Sequence, residues 1–374
     1  MSDLTLVLLA AGSSTRFGLD LKKQWLRCDT KPLWQFVADY FQQTTHFDKI
    51  IITAAEDEVQ YISSFSDYCI VSGGKSRGES LLNALKKVET PYVLVSDIAR
   101  ACISQTLLES IFTHKDEADC IVPYLPVHDT VVYEDQTIAR EKVKRVQTPQ
   151  LSKTKILLEA LQKDLDFTDE SSAIVANGGS RFFVLGDENA HKITHIQDLQ
   201  KIPCLLAPSK DTLSGNGFDV HAFDTKGKMY LCGVHIKESS FGFQAHSDGD
   251  VAIHALIDAL LGAASMGDIG MLFPDNDPKY KGIDSKELLS YVYKKITNYG
   301  FKIINVDITI AAQTPKLAHY KTAMKKMIAQ ILHISNDRVN IKATTTEKLG
   351  FVGRSEGVAV MANANLKYFD WTEI

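Results

Sequence analysis

The sequence predicts two domains: an α/β domain with a Rossmann-like, mainly parallel sheet, followed by an α+β domain with a small sheet and helices to one side. Three observations lead there. At 374 residues the chain exceeds the usual size of one hydrophobic core. The first half alternates short apolar runs with amphipathic ones, the pattern of strand–helix–strand units. The segment Leu199–Asp211 then carries Pro203 and Pro208 in a short polar stretch before a Gly-rich strand, which reads as a linker. The boundary is placed near Pro208, giving domains 1–208 and 209–374.

In the first half, Leu4–Leu9, Lys49–Thr53, Cys69–Val71, Tyr92–Val95 and Cys120–Pro123 read as buried strands. Leu33–Gln43, Glu79–Lys87 and Gln105–His114 read as the helices between them. In such sheets ligands bind at the carboxyl ends of the strands. The second half opens with the strand around Gly217, followed by an apolar helix over Asp248–Leu261. A helix Ser285–Tyr299, a strand Asn305–Ala311, a helix Ala318–Leu332 and strands Val339–Thr345 and Gly357–Leu366 complete it.

Hydrophobic content of 45% and charged content of 23% are those of an ordinary globular protein. A formal charge of −5 argues against a nonspecific nucleic-acid binder but allows a local basic pocket. The N-terminus lacks a signal-peptide pattern and no run is apolar enough to span a bilayer, so a cytoplasmic protein without membrane partners is expected. Cys28, Cys69, Cys102, Cys120, Cys204 and Cys232 form no CxxC pair and lie in or beside apolar runs; reduced core thiols are expected.

Two chemistries stand out. After the first strand come Ala10-Ala11-Gly12-Ser13-Ser14-Thr15-Arg16 and then Lys22-Lys23-Gln24. Small residues let backbone N–H groups approach a phosphate, and Arg16 and Lys23 add charge where a transferring phosphoryl group needs it. A solvated loop is the plainer reading of that stretch alone. Gly73-Gly74-Lys75-Ser76-Arg77 follows the third strand, and Asp97 ends the fourth, a good place for a Mg²⁺ ligand. In the second half, Gly217-Phe218-Asp219-Val220-His221 puts Asp219 and His221 on one face of a strand. With His254 on the apolar helix they make two imidazoles and a carboxylate, a set suited to catalytic Zn²⁺ with one position left open. The alternative is two strand polars and a satisfied core histidine. Asp250, four residues before His254, reads as a helix cap or as a carboxylate orienting a ligand histidine. The run Ala343-Thr344-Thr345-Thr346-Glu347 offers hydroxyls to a phosphate and a carboxylate to a second, harder cation, or simply fills a strand.

On these residues the first half resembles the 2-C-methyl-D-erythritol 4-phosphate cytidylyltransferases, across about residues 1–205. The resemblance implies a nucleotidyltransferase domain with Arg16 and Lys23 catalytic and Asp97 holding Mg²⁺ or Mn²⁺. Gly12, Gly73, Gly74, Arg77 and Ser80 would bind CTP. Arg100, in the string of the magnesium aspartate, would bind substrate, and Thr130, Arg140, Thr148, Asp169 and Lys192 would surround the methylerythritol phosphate. The chain departs from the family at Ser13-Ser14-Thr15, where a second glycine is usual, and at Ser96-Asp97-Ile98-Ala99-Arg100-Ala101, where the usual string is His-Asp-Ala-Ala-Arg-Pro.

The second half closely resembles the 2-C-methyl-D-erythritol 2,4-cyclodiphosphate synthases, over about residues 212–370. The long strings Gly-Phe-Asp-Val-His, Ala-His-Ser-Asp-Gly-Asp-Val and Ala-Thr-Thr-Thr-Glu-Lys-Leu-Gly-Phe carry it. It implies Asp219, His221 and His254 as zinc ligands, His246 and Thr345 as transition-state stabilisers, and Glu347 as a Mg²⁺ or Mn²⁺ ligand. Ser247, Asp268, Ile269, Gly270, Phe273, Asp275, Asp277, Thr344, Phe351 and Arg354 would contact substrate. It further implies a trimer with pockets shared between neighbours, or a hexamer where N-terminal halves also pair.

The two resemblances together imply a bifunctional enzyme of isoprenoid-precursor synthesis. One site transfers CMP from CTP, releasing pyrophosphate; the other cyclises the cytidylylated, phosphorylated product, releasing CMP. The intervening phosphorylation implies a separate ATP-dependent kinase, since neither half carries a kinase loop. Two other readings are a different sugar-phosphate nucleotidyltransferase fused to an unrelated zinc hydrolase, and a zinc cyclase carrying a non-catalytic nucleotide-binding assembly domain.

Overall fold

The computed structural model describes residues 3–225, 227–244, 247–274 and 276–373; His246 and Asp275, both read as site residues, lie outside them. The chain divides into two compact units, Met1–Ala207 and Pro208–Ile374.

In the first unit the strands are β1 (Leu4–Leu9), β2 (Lys49–Ala54), β3 (Cys69–Ser72), β4 (Tyr92–Asp97), β5 (Cys120–Pro126), β6 (Lys144–Val146), β7 (Gln150–Lys153) and β8 (Arg181–Leu185). They form one eight-stranded sheet in the order β6-β5-β7-β4-β1-β2-β3, with β8 on β5. The β4-β1-β2-β3 half is parallel, as its apolar runs predict. The sequence reading stops at Pro123 and misses β6 and β7, short strands rich in charged and polar side chains that pair antiparallel, and also β8, which pairs parallel with β5. Helices α1 (Leu33–Thr44), α2 (Glu56–Ser63), α3 (Arg77–Leu85), α4 (Gln105–Thr113), α5 (Thr154–Lys163) and α6 (Glu170–Ala176) complete the unit. The register pairs Leu9 with both Thr53 and Asp97, so three strands end level at their carboxyl ends.

The loop after β1 is pinned from below. Phe17 and Trp25 are buried, and Trp25 packs edge-on against Trp34 with ring centroids 6.2 Å apart. The buried Glu58 carboxylate accepts from Trp25 Nε1 at 2.9 Å and from Lys22 Nζ at 2.8 Å. Ser14 adopts φ 58°, a left-handed conformation costing a non-glycine residue about 1–2 kcal/mol. Its hydroxyl accepts from the Lys23 amide at 3.0 Å and donates to Gln24 Oε1 at 3.2 Å. The serine that departs from the family's glycine thus fastens the turn.

One expectation is corrected. Cys102 and Cys204 form a disulfide, with Cα atoms 5.6 Å apart. The other four cysteines are free thiols, three of them buried. Nothing in the spacing signals a pair 102 residues apart; the fold brings two loops together.

In the second unit β9 (Leu213–Asp224), β10 (Phe301–Ala311), β11 (Val339–Thr344) and β12 (Gly357–Tyr368) form a five-stranded sheet with the short strand Gly242–Phe243. The order is Gly242–Phe243, β9, β12, β10, β11, with β10 and β11 parallel. Helix α7 (Val251–Ala263) lies on one face, and α8 (Ser285–Asn298) and α9 (Lys321–Ile331) add to the unit. Gly215 and Gly217 allow α7 to approach β9 at backbone contact. A Cβ on Gly217 would stand 2.0 Å from Ala255 O, and one on Gly215 would stand 2.2 Å from Ala259 O. That approach sets His254 of α7 opposite Asp219 and His221 of β9. On the opposite face Phe218, Val220 and Met361 are 62%, 43% and 55% exposed, with Phe218 and Met361 in register across β9 and β12.

Gly217→Ala is expected to destabilise the protein by about 1–3 kcal/mol, because the new methyl group meets backbone that cannot yield without moving the helix. Urea denaturation of the variant against wild type measures it.

Candidate active sites

In the first unit the level strand ends border a cavity of about 470 Å³. Gly12, Arg16, Lys23, Gly74, Arg77, Ser80, Asp97 and Lys192 all line it. Among the lining groups Asp97 is buried, 8% exposed. Lys192 Nζ meets it at 2.6 Å and Arg77 Nη2 at 3.5 Å. Burial alone would raise the Asp97 carboxyl, but Arg77 and Lys192 outweigh it and hold the group below its ordinary value. Arg77 also pairs with the buried Glu170 at 2.6 Å. Loss of water pushes Glu170 upward despite that contact. Burial, followed by the nearby Lys192 charge, lowers Lys23 to about 8.

The segment 190–198 is laced to these loops. Lys23 Nζ donates to Ile193 O at 2.7 Å, His195 Nδ1 to Arg16 O at 3.0 Å, and the Ile193 amide to Ala99 O at 2.8 Å. Arg100 Nη1 donates to Ala190 O at 2.6 Å and lines a neighbouring cavity with Lys192. The other proposed substrate contacts lie outside the main cavity. Gly73 sits just behind it, its amide on Ala54 O. The Thr148 hydroxyl accepts from the Asp97 amide at 3.4 Å. Asp169 caps α6, accepting from the Ser172 amide at 3.1 Å. Thr130 and Arg140 are exposed; Arg140 donates to His128 O at 2.6 Å. The sequence reading misses Glu58 and His195, which carry no motif and act only through the partners the fold supplies; Glu170 falls in the string Thr168-Asp169-Glu170 that the resemblance places near the methylerythritol phosphate, but its pairing with Arg77 is not foreseen.

In the second unit Asp219, His221 and His254 offer ligand atoms that all lie within 4.8 Å of one another. Asp219 Oδ2 is 3.3 Å from His221 Nε2 and 3.3 Å from His254 Nδ1. For bonds of about 2.0–2.1 Å, a tetrahedral edge is about 3.3 Å, so the donor set fits a zinc-like cation. The far nitrogens confirm the orientation. His221 Nδ1 lies 3.0 Å from the Gly249 carbonyl, which only accepts, so its proton is there and Nε2 presents a lone pair. His254 Nε2 lies 3.1 Å from Ser285 Oγ, and that hydroxyl donates to Asp248 Oδ1 at 2.5 Å. Having donated, Ser285 accepts from Nε2–H, and Nδ1 faces Asp219 unprotonated. Burial lowers His221, favouring the neutral imidazole a metal requires.

Asp250 does not orient a histidine ring, one of the two roles considered for it. It caps α7 at Ile253 N and accepts from the amides of Cys232 and Gly233 at 2.9 and 2.5 Å. Being wholly buried at the helix start, its carboxylate is taken up by three N–H groups. Ser285, not singled out in the sequence, holds His254 together with Ser247 Oγ, also at 3.1 Å.

A cavity of about 360 Å³ lies over the triad, lined also by Ser247, Ile269, Gly270 and Phe273. Asp268 and Asp277 cap the single turns that follow, accepting from Met271 N at 2.8 Å and Lys279 N at 3.0 Å. Thr344, Thr345, Glu347, Phe351 and Arg354 do not line this cavity. They sit at and beyond the end of β11, where Thr345 Oγ1 donates to Glu347 Oε1 at 2.8 Å and Arg354 pairs with Glu356 at 2.8 Å. Among the described residues no helix is long and apolar enough to cross a membrane.

Residues 4–207 match the family model described as 2-C-methyl-D-erythritol 4-phosphate cytidylyltransferase, and residues 213–367 match the YgbB family. A "Bifunctional enzyme IspD/IspF" of Sulfurimonas denitrificans is 64% identical over 99% of this chain and 96% of its own length. One of Nitratiruptor is 53% identical over the whole of both chains. The solved structure of the bifunctional IspDF from Campylobacter jejuni superposes with a TM-score of 0.92 at 48% identity, covering 99% of this chain and 100% of that one. The chain belongs to this bifunctional family, an enzyme of the methylerythritol phosphate pathway with cytidylyltransferase and cyclodiphosphate synthase activities.

Two outcomes follow from the geometry. Ser285→Ala should weaken Zn²⁺ binding by about 10–100-fold in a chelator competition, while Ser285→Thr, which keeps the hydroxyl, retains most of the affinity. The Lys23 ammonium is the form that would meet a phosphate in this cavity, and with its pKa lowered to about 8 it is present below that pH and lost above it. The kcat/KM for CTP should therefore fall as pH rises through about 8, and Lys23→Arg should move that limb upward. A limb unchanged in the arginine variant assigns it to another group.

Proposed function

We propose that the two cavities divide the work, with the domain boundary near residue 208. In the N-terminal cavity Arg16 and Lys23 stabilise charge on the α-phosphorus of CTP as the 4-phosphate of methylerythritol phosphate attacks in line and pyrophosphate leaves. Gly12, Gly73, Gly74, Arg77 and Ser80 cradle the nucleotide. Arg100, Thr130, Arg140, Thr148, Asp169 and Lys192 recognise the acceptor, and Asp97 holds Mg²⁺ or Mn²⁺. When bound, the cation neutralises phosphate charge. The Lys192 and Arg77 contacts to Asp97 keep the carboxylate ionised until ligands take over those charges.

In the C-terminal cavity Asp219, His221 and His254 hold Zn²⁺, which aligns and polarises phosphate oxygens when bound. His246, Ser247, Thr345 and the residues from Asp268 to Asp277, Asp275 among them, orient the chain so that the 2-phosphate attacks the β-phosphorus and CMP departs. Thr344, Phe351, Arg354 and Glu347, the last with Mg²⁺ or Mn²⁺, complete the site from a neighbouring subunit. Two observations support a shared pocket in a trimer. The triad cavity takes no lining from the Thr344–Arg354 cluster of its own chain. The face bearing Phe218, Val220 and Met361 is apolar and exposed in the single chain. Pairing of N-terminal units would make a hexamer. A separate ATP-dependent kinase supplies the 2-phosphate between the two steps, and the phosphorylated, nucleotide-linked substrates place the work in the cytoplasm.

The observation that carries this reading is the contrast between the cavities, one lined by cations around a buried carboxylate and the other offering two nitrogens and one oxygen. Arg16→Ala should cut pyrophosphate release from CTP and methylerythritol phosphate by at least about 100-fold while leaving cyclisation intact, and Asp219→Ala should do the reverse. A single variant abolishing both activities in folded protein would refute the division.

A further inference from the structure

The segment carrying Lys192 and the loop carrying Asp97 are joined along one seam. It begins at the Lys192–Asp97 contact of 2.6 Å. It continues through Ile193 N on Ala99 O at 2.8 Å and Arg100 Nη1 on Ala190 O at 2.6 Å. It ends at the Cys102–Cys204 disulfide, where the Cys204 amide also donates to Cys102 Sγ at 3.1 Å. Cys102 is five residues past Asp97 and two past Arg100. Cys204 is twelve past Lys192. Across the rest of the seam the two segments meet through hydrogen bonds and an ion pair, which substrate phosphates and a cation compete for. The disulfide is the covalent tie.

Both bridged cysteines are half-buried, outside the fully enclosed core. Cys28, Cys120 and Cys232 are buried, and burial pushes all three thiols up, Cys28 to about 12. Cys69, half-buried on β3, is the remaining free thiol.

We infer that Cys102 and Cys204 are a reversible thiol–disulfide site, taking a low-molecular-weight disulfide as oxidant and a dithiol as reductant, and that its state sets how tightly the first unit holds the methylerythritol phosphate. Oxidation runs by exchange. One cysteine thiolate attacks a sulfur of the small disulfide, forming a mixed disulfide and releasing one small thiolate. The second cysteine thiolate then attacks the protein sulfur of that mixed disulfide, closing the bridge and releasing the other. Two protein thiols become one disulfide, the small disulfide becomes two thiols, and the protons pass to those products. Reduction is the reverse exchange with a dithiol. The closed bridge holds the Lys192 segment against the Asp97 loop; the open one leaves that seam to its non-covalent contacts. The inference rests on the proposed assignment of Lys192 to the acceptor and of Asp97 to the cation beside it.

The test uses the full chain, equilibrated once with oxidised glutathione and once with dithiothreitol, each then freed of reagent. Denatured thiol titration should count four thiols in the first sample and six in the second. The KM for methylerythritol phosphate should be about 3–10-fold higher in the reduced sample, with cyclisation by the same molecules unchanged. Cys102→Ser and Cys204→Ser should show the higher KM under both treatments, and Cys69→Ser should respond like wild type. Six thiols after the glutathione treatment, or a KM equal in the two wild-type states or higher in the oxidised one, overturns the inference. Should a serine variant fail to fold, the two wild-type states still decide. A Lys192→Ala variant with an unaltered KM would instead show the pocket assignment to be at fault.

Discussion

The first unit is organised around the buried carboxylate of Asp97. Asp97 ends a central strand at 8% exposure, and a carboxylate there is tolerated only with cations against it. Those cations come from distant parts of the chain: Arg77 from the start of α3 and Lys192 from the segment after β8. Arg77 in turn requires Glu170 at the start of α6. A single desolvated group therefore fixes the positions of three segments that the sheet alone would leave loose. The cavity is a by-product of the arrangement, since the cations that hold Asp97 also line the space beside the phosphate-binding loop.

The second unit solves a different problem, the presentation of three neutral or anionic donors to one point. Two come from alternate positions of a strand, which is cheap. The third must come from a helix at the right height, and here Gly215 and Gly217 matter more than any ligand. They let α7 rest on the backbone of β9. The helix start is then locked by Asp250, whose carboxylate takes the Cys232, Gly233 and Ile253 amides. With the backbone fixed, ring orientation remains free until Gly249 O and Ser285 Oγ claim the far nitrogens. The metal-facing nitrogens are determined by groups that never touch the metal.

What was legible in the sequence follows the same division. The parallel strands from Leu4 to Asp97 announced themselves as apolar runs, though Arg181–Leu185, parallel to Cys120–Pro126, was not read; the proposed ligand residues Asp97, Asp219, His221 and His254 lay in short strings close to glycines and strand ends. The antiparallel strands Lys144–Val146 and Gln150–Lys153 could not be read, because their side chains are mostly polar and their length gives no periodicity. The pairing of Glu170 with Arg77 and the role of Ser285 were not visible for a related reason: a buried carboxylate or hydroxyl has meaning only through a partner 93 or 31 residues away. The disulfide is the clearest case. Cys102 and Cys204 each sit in an ordinary loop, and only the docking of residues 190–204 on the Asp97 loop makes them neighbours.

The two cavities also explain why one chain can carry both activities without mixing them. Cytidylyl transfer must collect a triphosphate and a phosphomonoester, both strongly anionic, and the first cavity offers Arg16, Lys23, Arg77 and Lys192 in its lining. Cyclisation must bring two phosphates of one molecule together, and side-chain cations spread over a broad surface would not bend it. A cation held by two nitrogens and one carboxylate oxygen would concentrate the attraction at one point instead. The product of the first reaction still lacks the 2-phosphate that serves as nucleophile in the second. The second cavity therefore gains nothing from binding it productively, and the order of the steps is enforced by the chemistry of the intermediate rather than by any passage within the chain.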